Sequence, residues 1–119
     1  MLVVDDNPVI RMVLVGMLEH LGAKCDVASD GNAAVAATTR VAYELVLMDI
    51  NMPGLDGGGA TRAILAASEG RRAPRIVGVT GSADEARREA CRRAGMSTLL
   101  TKPVRLEELL RLLVAGATP

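Results

Sequence analysis

The chain has 119 residues, with 14 acidic and 14 basic side chains and a formal net charge of zero. This length suits one domain with a sizeable core, so we expect residues 1–119 to form a single domain. The balanced charge gives no electrostatic reason to expect a nucleic acid or an acidic membrane surface as a partner. Tyr43 is the only aromatic residue, so the core must be aliphatic.

The cysteines, Cys25 and Cys91, stand alone, without a Cys-x-x-Cys pair or a Cys/His cluster. We interpret them as reduced, buried thiols rather than as a zinc or redox site. Reduced thiols favour a cytoplasmic location. The longest apolar stretches fall well short of a membrane span, and Met1 leads directly into a strand without a signal-peptide pattern. A membrane-anchored parent protein is compatible with this expectation.

Five apolar runs of strand length alternate with five stretches of helical periodicity, a pattern typical of βαβ units around a parallel sheet. The predicted strands are residues 2–4, 24–28, 45–49, 76–79 and 98–101, and the predicted helices are 8–21, 31–40, 59–68, 83–94 and one from about 106. The inward helix positions are predicted to be Ile10, Val13, Leu14, Met17, Leu18, Leu21, Ala83, Ala86, Ala90, Cys91, Leu106, Leu109, Leu110 and Leu113.

Four of the strands lead into residues that could handle a phosphoryl group. These residues are Asp5 with Asp6, Asp49, Thr80 and Lys102. The carboxyl ends of parallel strands meet at one edge of a sheet, where open α/β sheets bind ligands, so we expect these side chains to converge. Adjacent aspartates point to opposite faces of a regular strand, and both approach one ion only if the chain turns directly after the strand.

Three clustered carboxylates raise one another's pKa values unless a cation offsets their charge. Oxygen ligands without His or Cys favour a hard ion, and we expect Mg²⁺, or Mn²⁺ in its place. Thr80 can donate from its hydroxyl and Lys102 can act as a point charge on a phosphoryl group. A single acidic pair after a strand is more often a helix cap or a solvated turn, but four strand ends with suitable groups favour a functional site.

Four segments of the chain resemble the receiver domains of two-component signalling, and together they span almost its whole length. They are VVDDN at 3–7, LVLMDINMPGLDG at 45–57, VGVTG at 77–81 and LTKPV at 100–104. The sequences of these segments are most similar to those of the receivers of hybrid sensor histidine kinases. The resemblance implies a flavodoxin-like (CheY-like) α/β fold, with a five-stranded parallel sheet of order 2-1-3-4-5 flanked by five helices.

The same resemblance implies that Asp49 accepts a phosphoryl group from the phosphohistidine of a histidine kinase or a histidine phosphotransfer domain. Asp6, Asp49 and the backbone carbonyl of Asn51 would hold Mg²⁺, with Asp5 acting through a water molecule. Asn51 and Ser82 would flank the water that attacks the phosphoryl group. The segment would then act as a switch or relay and would be no enzyme beyond its own phosphorylation and dephosphorylation.

By resemblance, Thr80 and Lys102 would contact the phosphoryl group, with Thr80 shifting on activation, and the Lys102–Pro103 peptide would be cis, which proline allows. Leu99 departs from the pattern, because many family members have Tyr or Phe three residues before the lysine. Either the switch works by a smaller repacking, or the segment passes phosphate on as a relay intermediate.

The first helix has more apolar surface than one core face needs. Val9, Met12 and Val15 form a second stripe, beside the loop at Pro103. Single surface hydrophobes are common, but a stripe next to the site is better explained as a docking face for a helical, histidine-bearing partner.

The predicted fourth helix has four arginines: Arg87, Arg88, Arg92 and Arg93. Asp84, Glu85 and Glu89 lie three or four residues from them, so we interpret this surface as solvated and internally paired. In the resembling family this helix often forms an output or dimer surface, and dimerisation through it is open.

Several other functions are compatible with parts of the pattern. A free-standing response regulator is the alternative to a hybrid kinase parent. A haloacid-dehalogenase-like phosphohydrolase also has an Asp nucleophile after a strand, but it has a second Asp two residues on, where this chain has Asn51. A flavin-binding module shares the topology, but Asp5 and Asp6 would repel its phosphate. A receiver that is never phosphorylated would not need the complete set of site residues.

Overall fold

The computed structural model describes residues 1–82 and 84–117. Its strands are β1 (Leu2–Val4), β2 (Asp26–Ala28), β3 (Leu45–Asp49), β4 (Arg75–Thr80) and β5 (Thr98–Thr101). Its helices are α1 (Pro8–His20), α2 (Gly31–Arg40), α3 (Gly57–Ala67), α4 (Glu85–Ala94) and α5 (Leu106–Ala117). The strands form one parallel sheet in the order β2-β1-β3-β4-β5, which confirms the predicted fold class.

The sheet separates two apolar clusters because its strand side chains alternate between its faces. One cluster joins the sheet to α2, α3 and α4, and the other joins it to α1 and α5. All five residues of β3 are buried, as expected for a central strand covered on both sides. Cys91 is buried and Cys25 half-buried, and both are free thiols.

Helix capping explains two of the boundary differences. α3 begins at Gly57 rather than 59 because the Asp56 carboxylate accepts a hydrogen bond from Gly59 N at 2.8 Å and so caps the helix. α4 begins at Glu85, after Asp84, whose carboxylate accepts from Arg87 N at 2.8 Å. The strand predicted from residue 24 begins at 26. Ala83, predicted to start α4 and to be buried, lies outside the described residues.

Four inward positions were predicted wrongly: Val13, Ala86, Ala90 and Leu110 are exposed. α1 packs through Leu14 and Leu18, and Val13 lies about 100° around the helix axis from Leu14, at the edge of that face. α4 buries only Cys91 and Ala94 among its described side chains, because it covers the sheet with one narrow stripe.

Gly57 positions the beginning of α3 against the end of β3. A Cβ atom at Gly57 would lie 2.6 Å from both the Asp49 carbonyl oxygen and Ile50 Cα, closer than real atoms approach. Only glycine therefore allows this contact between the helix and the strand that carries Asp49. Among the described residues, no helix is both long and apolar enough to cross a bilayer.

Candidate functional site

The predicted strand ends meet at one edge of the sheet. β1 and β3 pair in parallel, with Val4 opposite Met48, so the residues that follow lie side by side. One carboxylate oxygen from each of Asp5, Asp6 and Asp49 lies within 4.8 Å of the others. Asp5 and Asp49 are only 1% and 3% exposed, whereas Asp6 is open to solvent.

The chain turns at the end of β1, which brings adjacent aspartates to one place. Asn7 N donates to Asp5 Oδ1 at 2.9 Å, which closes a turn over residues 5–7. The Asn7 side chain then caps α1 by accepting from Val9 N at 2.9 Å. This sequence of turn and cap is the geometry that the adjacent pair of aspartates required.

Lys102 supplies the positive charge of the site. Its Nζ lies 3.4 Å from Asp5 Oδ2 and 3.6 Å from Asp49 Oδ1. The Lys102–Pro103 peptide is cis, as the resemblance implied. Lys102 contacts both buried carboxylates, so one cation faces three anions and the formal charge of this group is minus two.

Burial raises the pKa of the Asp49 carboxyl to about 6. The Asn51 N–H, which donates to Asp49 Oδ1 at 3.1 Å, lowers this pKa, and the charge of Asp5 raises it. Lys102 lowers the pKa further, and Asp6 raises it. The site therefore disfavours the charge of Asp49 unless a further cation arrives.

The residues fit a hard divalent cation. Asp5 Oδ2 is buried, and no described atom makes a hydrogen bond to it. Lys102 Nζ lies 3.4 Å from this oxygen, and the carboxylates of Asp6 and Asp49 are close by. A charge of plus two would neutralise the group formed by Asp5, Asp6, Asp49 and Lys102. Oxygen ligands, partial burial and an exposed third carboxylate suit Mg²⁺, which keeps several waters when bound.

Thr80 is buried at the end of β4, on the other side of Asp49 from Asp5. Its hydroxyl donates to the Ser82 carbonyl at 3.0 Å and accepts from Ser82 N at 3.2 Å. Arg87 Nη1 also donates to Thr80 Oγ1, at 3.2 Å, and lies within hydrogen-bond distance of Asn51 Oδ1 at 3.4 Å.

Arg87 is the site residue that sequence reasoning missed. The predicted pairing within α4 holds for Arg92 and Arg93, which contact the Glu89 carboxylate at 2.7 and 3.1 Å. Arg87 instead crosses to Thr80, so its assignment to the paired face was wrong. The available signal was position: Arg87 lies in the first turn of a helix that begins close after Thr80.

An apolar groove of about 370 Å³ lies between α1 and the loop after β5. Val9, Val13 and Pro103 are among the residues that line it. Met12 is exposed beside it, at 67%, but Val15 is half-buried and packs against the core, so its prediction as exposed surface was wrong. Val9, Met12 and Val13 form the exposed stripe.

Leu99 fills the position where many receivers have an aromatic residue. It is 9% exposed and packs in the cluster on the α4 side of the sheet. A Cβ atom at Gly78 would lie 2.9 Å from Leu99 Cδ1 and 2.6 Å from Met96 Sδ, so these side chains lie directly on the glycine backbone. The aliphatic residue is therefore a packed part of the core.

The fold and its carboxyl-edge site define a receiver of two-component signalling. The chain belongs to the response regulator receiver domain family, whose model matches residues 1–114. That match includes all four strand ends of the site.

Its relatives include sensor kinases. The chain is 39% identical over 116 residues to the sensor histidine kinase RcsC of Salmonella typhi, covering 98% of this chain, and 39% identical over 110 residues to the sensor protein GacS of Pseudomonas syringae, covering 91%. It spans only 12% of the length of either relative.

A solved structure is also similar: the receiver domain of the sensor histidine kinase PA1611 from Pseudomonas aeruginosa. The TM-score is 0.88 at 41% identity, with 98% of this chain and 96% of that chain covered. That crystal structure has a magnesium ion coordinated in its active-site cleft.

Proposed function

We propose that this domain accepts a phosphoryl group on Asp49 from a phosphohistidine, as one step of a phosphorelay. The observation that carries the proposal is the buried Asp49 carboxylate, flanked by two further carboxylates and by Lys102 Nζ at 3.6 Å. In this step an Asp49 oxygen forms a bond to phosphorus, and the bond from phosphorus to the imidazole nitrogen breaks. The electron pair of that bond stays with the imidazole.

Each neighbour of Asp49 has a role in this proposal. Asp6, Asp49 and the backbone carbonyl of Asn51 would hold Mg²⁺, and Asp5 would act through a water molecule. When bound, the ion would neutralise charge on the phosphoryl oxygens. Lys102 lies where it can neutralise further charge.

Above a pH of about 6 the Asp49 carboxyl is ionised, as a nucleophile must be. The Thr80 hydroxyl must break its hydrogen bond to the Ser82 carbonyl before it can donate to a phosphoryl oxygen, since a hydroxyl has only one proton. Phosphorylation therefore requires a change at the end of β4, and we propose this change as the start of the switch.

The partner would dock on the groove between α1 and the loop after β5. An apolar groove lined by Val9, Val13 and Pro103, with Met12 exposed on the same helix, suits the apolar face of a helix that presents the phosphohistidine. The partner is then a histidine kinase or a histidine phosphotransfer domain.

We further propose that residues 1–119 are one receiver of a hybrid sensor histidine kinase, located in the cytoplasm. The kinase relatives support this parent over a free-standing regulator. The receiver family match favours a receiver over a haloacid-dehalogenase-like phosphohydrolase or a flavin-binding module.

Labelling from a small phosphodonor tests the acceptor. We expect radiolabelled acetyl phosphate with Mg²⁺ to label the protein, and expect chelation of the metal or Asp49→Asn to abolish the label. The conservative substitution keeps a side-chain oxygen at position 49 to which Asn51 N can donate. A labelled Asp49→Asn protein would exclude Asp49 as the acceptor.

Introducing negative charge on α1 tests the docking face. We expect Met12→Glu and Val13→Glu to slow transfer from the cognate phosphohistidine partner while leaving labelling by acetyl phosphate intact. Val41→Glu is the matched control, because Val41 is an exposed valine at the end of α2, away from the groove. If the α1 variants accept phosphate from the partner at the wild-type rate, the partner docks elsewhere.

A further inference from the structure

Arg87 leaves the charged face of α4 and contacts two residues at the edge of the phosphoacceptor site. Its Nη1 lies 3.2 Å from Thr80 Oγ1 and 3.4 Å from Asn51 Oδ1. Asn51 follows β3 and Thr80 ends β4, so one guanidinium nitrogen spans the ends of these two neighbouring strands. Arg87 itself is half-buried, whereas its neighbour Arg88 is exposed.

The Thr80 hydroxyl has no hydrogen-bonding capacity left in this arrangement. It donates its only proton to the Ser82 carbonyl, and it accepts from Ser82 N and from Arg87 Nη1. A hydroxyl offers one donor and two lone pairs, so all three are used. The charged donor also fixes Thr80 more firmly than a neutral one would, because a hydrogen bond from an ionised group is the stronger kind.

The contact with Asn51 places the guanidinium beside the loop that directly follows the acceptor. Asn51 N donates to Asp49 Oδ1 at 3.1 Å, so the Asn51 residue borders the carboxylate directly. Its side chain, two residues after the acceptor, is oriented toward Arg87 Nη1. A guanidinium at this position joins the loop after the acceptor to Thr80 and adds bulk and charge on the side of the site where these two residues lie.

We propose that Arg87 is a positioning residue that ties Thr80 to Asn51 across the site and slows the loss of the phosphoryl group from Asp49. This inference rests on the proposed role of Asp49 as acceptor. In the loss reaction a water oxygen bonds to phosphorus and the bond from phosphorus to the Asp49 oxygen breaks. The electron pair returns to the carboxylate, the proton leaves to solvent, and inorganic phosphate is released.

The rate of phosphoryl loss tests this role. The protein is labelled with radiolabelled acetyl phosphate and Mg²⁺ and freed of donor, and the label that stays on the protein is followed at saturating Mg²⁺. We expect Arg87→Ala and Arg87→Gln to lose phosphate about tenfold faster, the effect of one charge-assisted hydrogen bond. Arg87→Lys keeps the charge but loses the planar fork, so its rate should fall between those of Arg87→Ala and the wild type.

Arg88→Ala is the matched control, because it removes the same charge from an exposed position one residue away. Chemical rescue separates positioning from a general effect on the fold. Millimolar methylguanidinium should slow phosphoryl loss from Arg87→Ala toward the wild-type rate and should not change the rate of loss from Arg88→Ala. Tetramethylammonium at the same concentration should change neither rate.

Three results would overturn the inference. One is an Arg87→Ala protein that keeps its phosphate as long as the wild type does. Another is an Arg88→Ala protein that loses phosphate equally fast, which would indicate a general charge effect. The last is a wild-type protein that takes no label, which would remove the acceptor role of Asp49 and the role of Arg87 with it. The first two leave the acceptor role intact.

Discussion

Replacing Asp49 by asparagine should stabilise the metal-free protein. The substitution removes a negative charge that burial disfavours and that Asp5 and Asp6 repel. The asparagine oxygen can still accept the hydrogen bond from Asn51 N, so the backbone contact at the end of β3 is kept. The gain is therefore electrostatic.

The pKa of Asp49 gives the size of the effect. A rise from 3.8 to about 6 corresponds to about 3 kcal/mol at neutral pH, at about 1.4 kcal/mol per pKa unit. Asparagine loses the attraction to Lys102 and remains a buried polar group, so we expect a net gain of about 1–2 kcal/mol in the free energy of unfolding. For a chain of 119 residues this raises Tm by roughly 3–10 °C.

The pH dependence has a definite sign. Folded Asp49 holds its proton more tightly than unfolded Asp49, so from about pH 4 to 6 the folded state binds more protons and wild-type stability falls as pH rises. The advantage of Asp49→Asn is thus complete above a pH of about 6 and fades as the pH falls toward 4. Urea unfolding in chelator at pH 7.5, 5.5 and 4 measures it.

Glu44→Gln is the control for losing one negative charge, because Glu44 is exposed at the opposite end of β3. It should change stability little at any pH. Saturating Mg²⁺ should stabilise the wild type by mass action and narrow its difference from Asp49→Asn. If Asp49→Asn is no more stable than the wild type at pH 7.5 without metal, the electrostatic description of the site is wrong.

Further predictions concern packing and capping. Gly57→Ala should lower the free energy of unfolding by about 2 kcal/mol or more, because its new Cβ would lie 2.6 Å from backbone atoms. Gly58→Ala should be neutral or stabilising, because the nearest neighbour of its Cβ lies at 3.7 Å. Urea unfolding compares the two variants. Leu99→Ala should cost about 2–4 kcal/mol in the same assay, since Leu99 is buried, and a smaller loss would mean that the core collapses around it. Asp84→Ala should cost about 1 kcal/mol through loss of the α4 cap, and an unchanged urea midpoint would contradict that role.

The strand ends could be predicted because two local facts determine them. An apolar run followed by polar residues shows where a strand ends, and parallel pairing places the carboxyl ends at one edge. Asp5, Asp49, Thr80 and Lys102 needed nothing more, and the structure brings them together. The order of the strands came from the family resemblance, since pairing between distant strands has no local signal.

The exposed flank of α1 could not be chosen from the sequence. Apolar residues stand at nearly every position from 9 to 15, so periodicity alone does not say which flank is open. The described contacts decide it: Val15 packs against the core, while Val13 faces the groove beside Pro103.

Arg87 was missed for a related reason. Spacing within a helix predicts ion pairs three and four residues apart, but it does not show which arginines pair when several lie near the same carboxylate. Glu89 is used by Arg92 and Arg93, and Arg87 lies where α4 passes over the end of β4. The start of α3 was hidden by three consecutive glycines, poor helix formers whose first turn is supported by the Asp56 cap.

Chemical mapping of the phosphorylated residue tests the acceptor role of Asp49 most directly. An aspartyl phosphate is an acyl phosphate, which borohydride reduces to homoserine, so the modified position can be read by peptide mass spectrometry. After incubation with acetyl phosphate and Mg²⁺, we expect homoserine at position 49 and aspartate unchanged at positions 5 and 6. Reduction at either of those positions, or phosphate on a hydroxyl or histidine, would contradict the account.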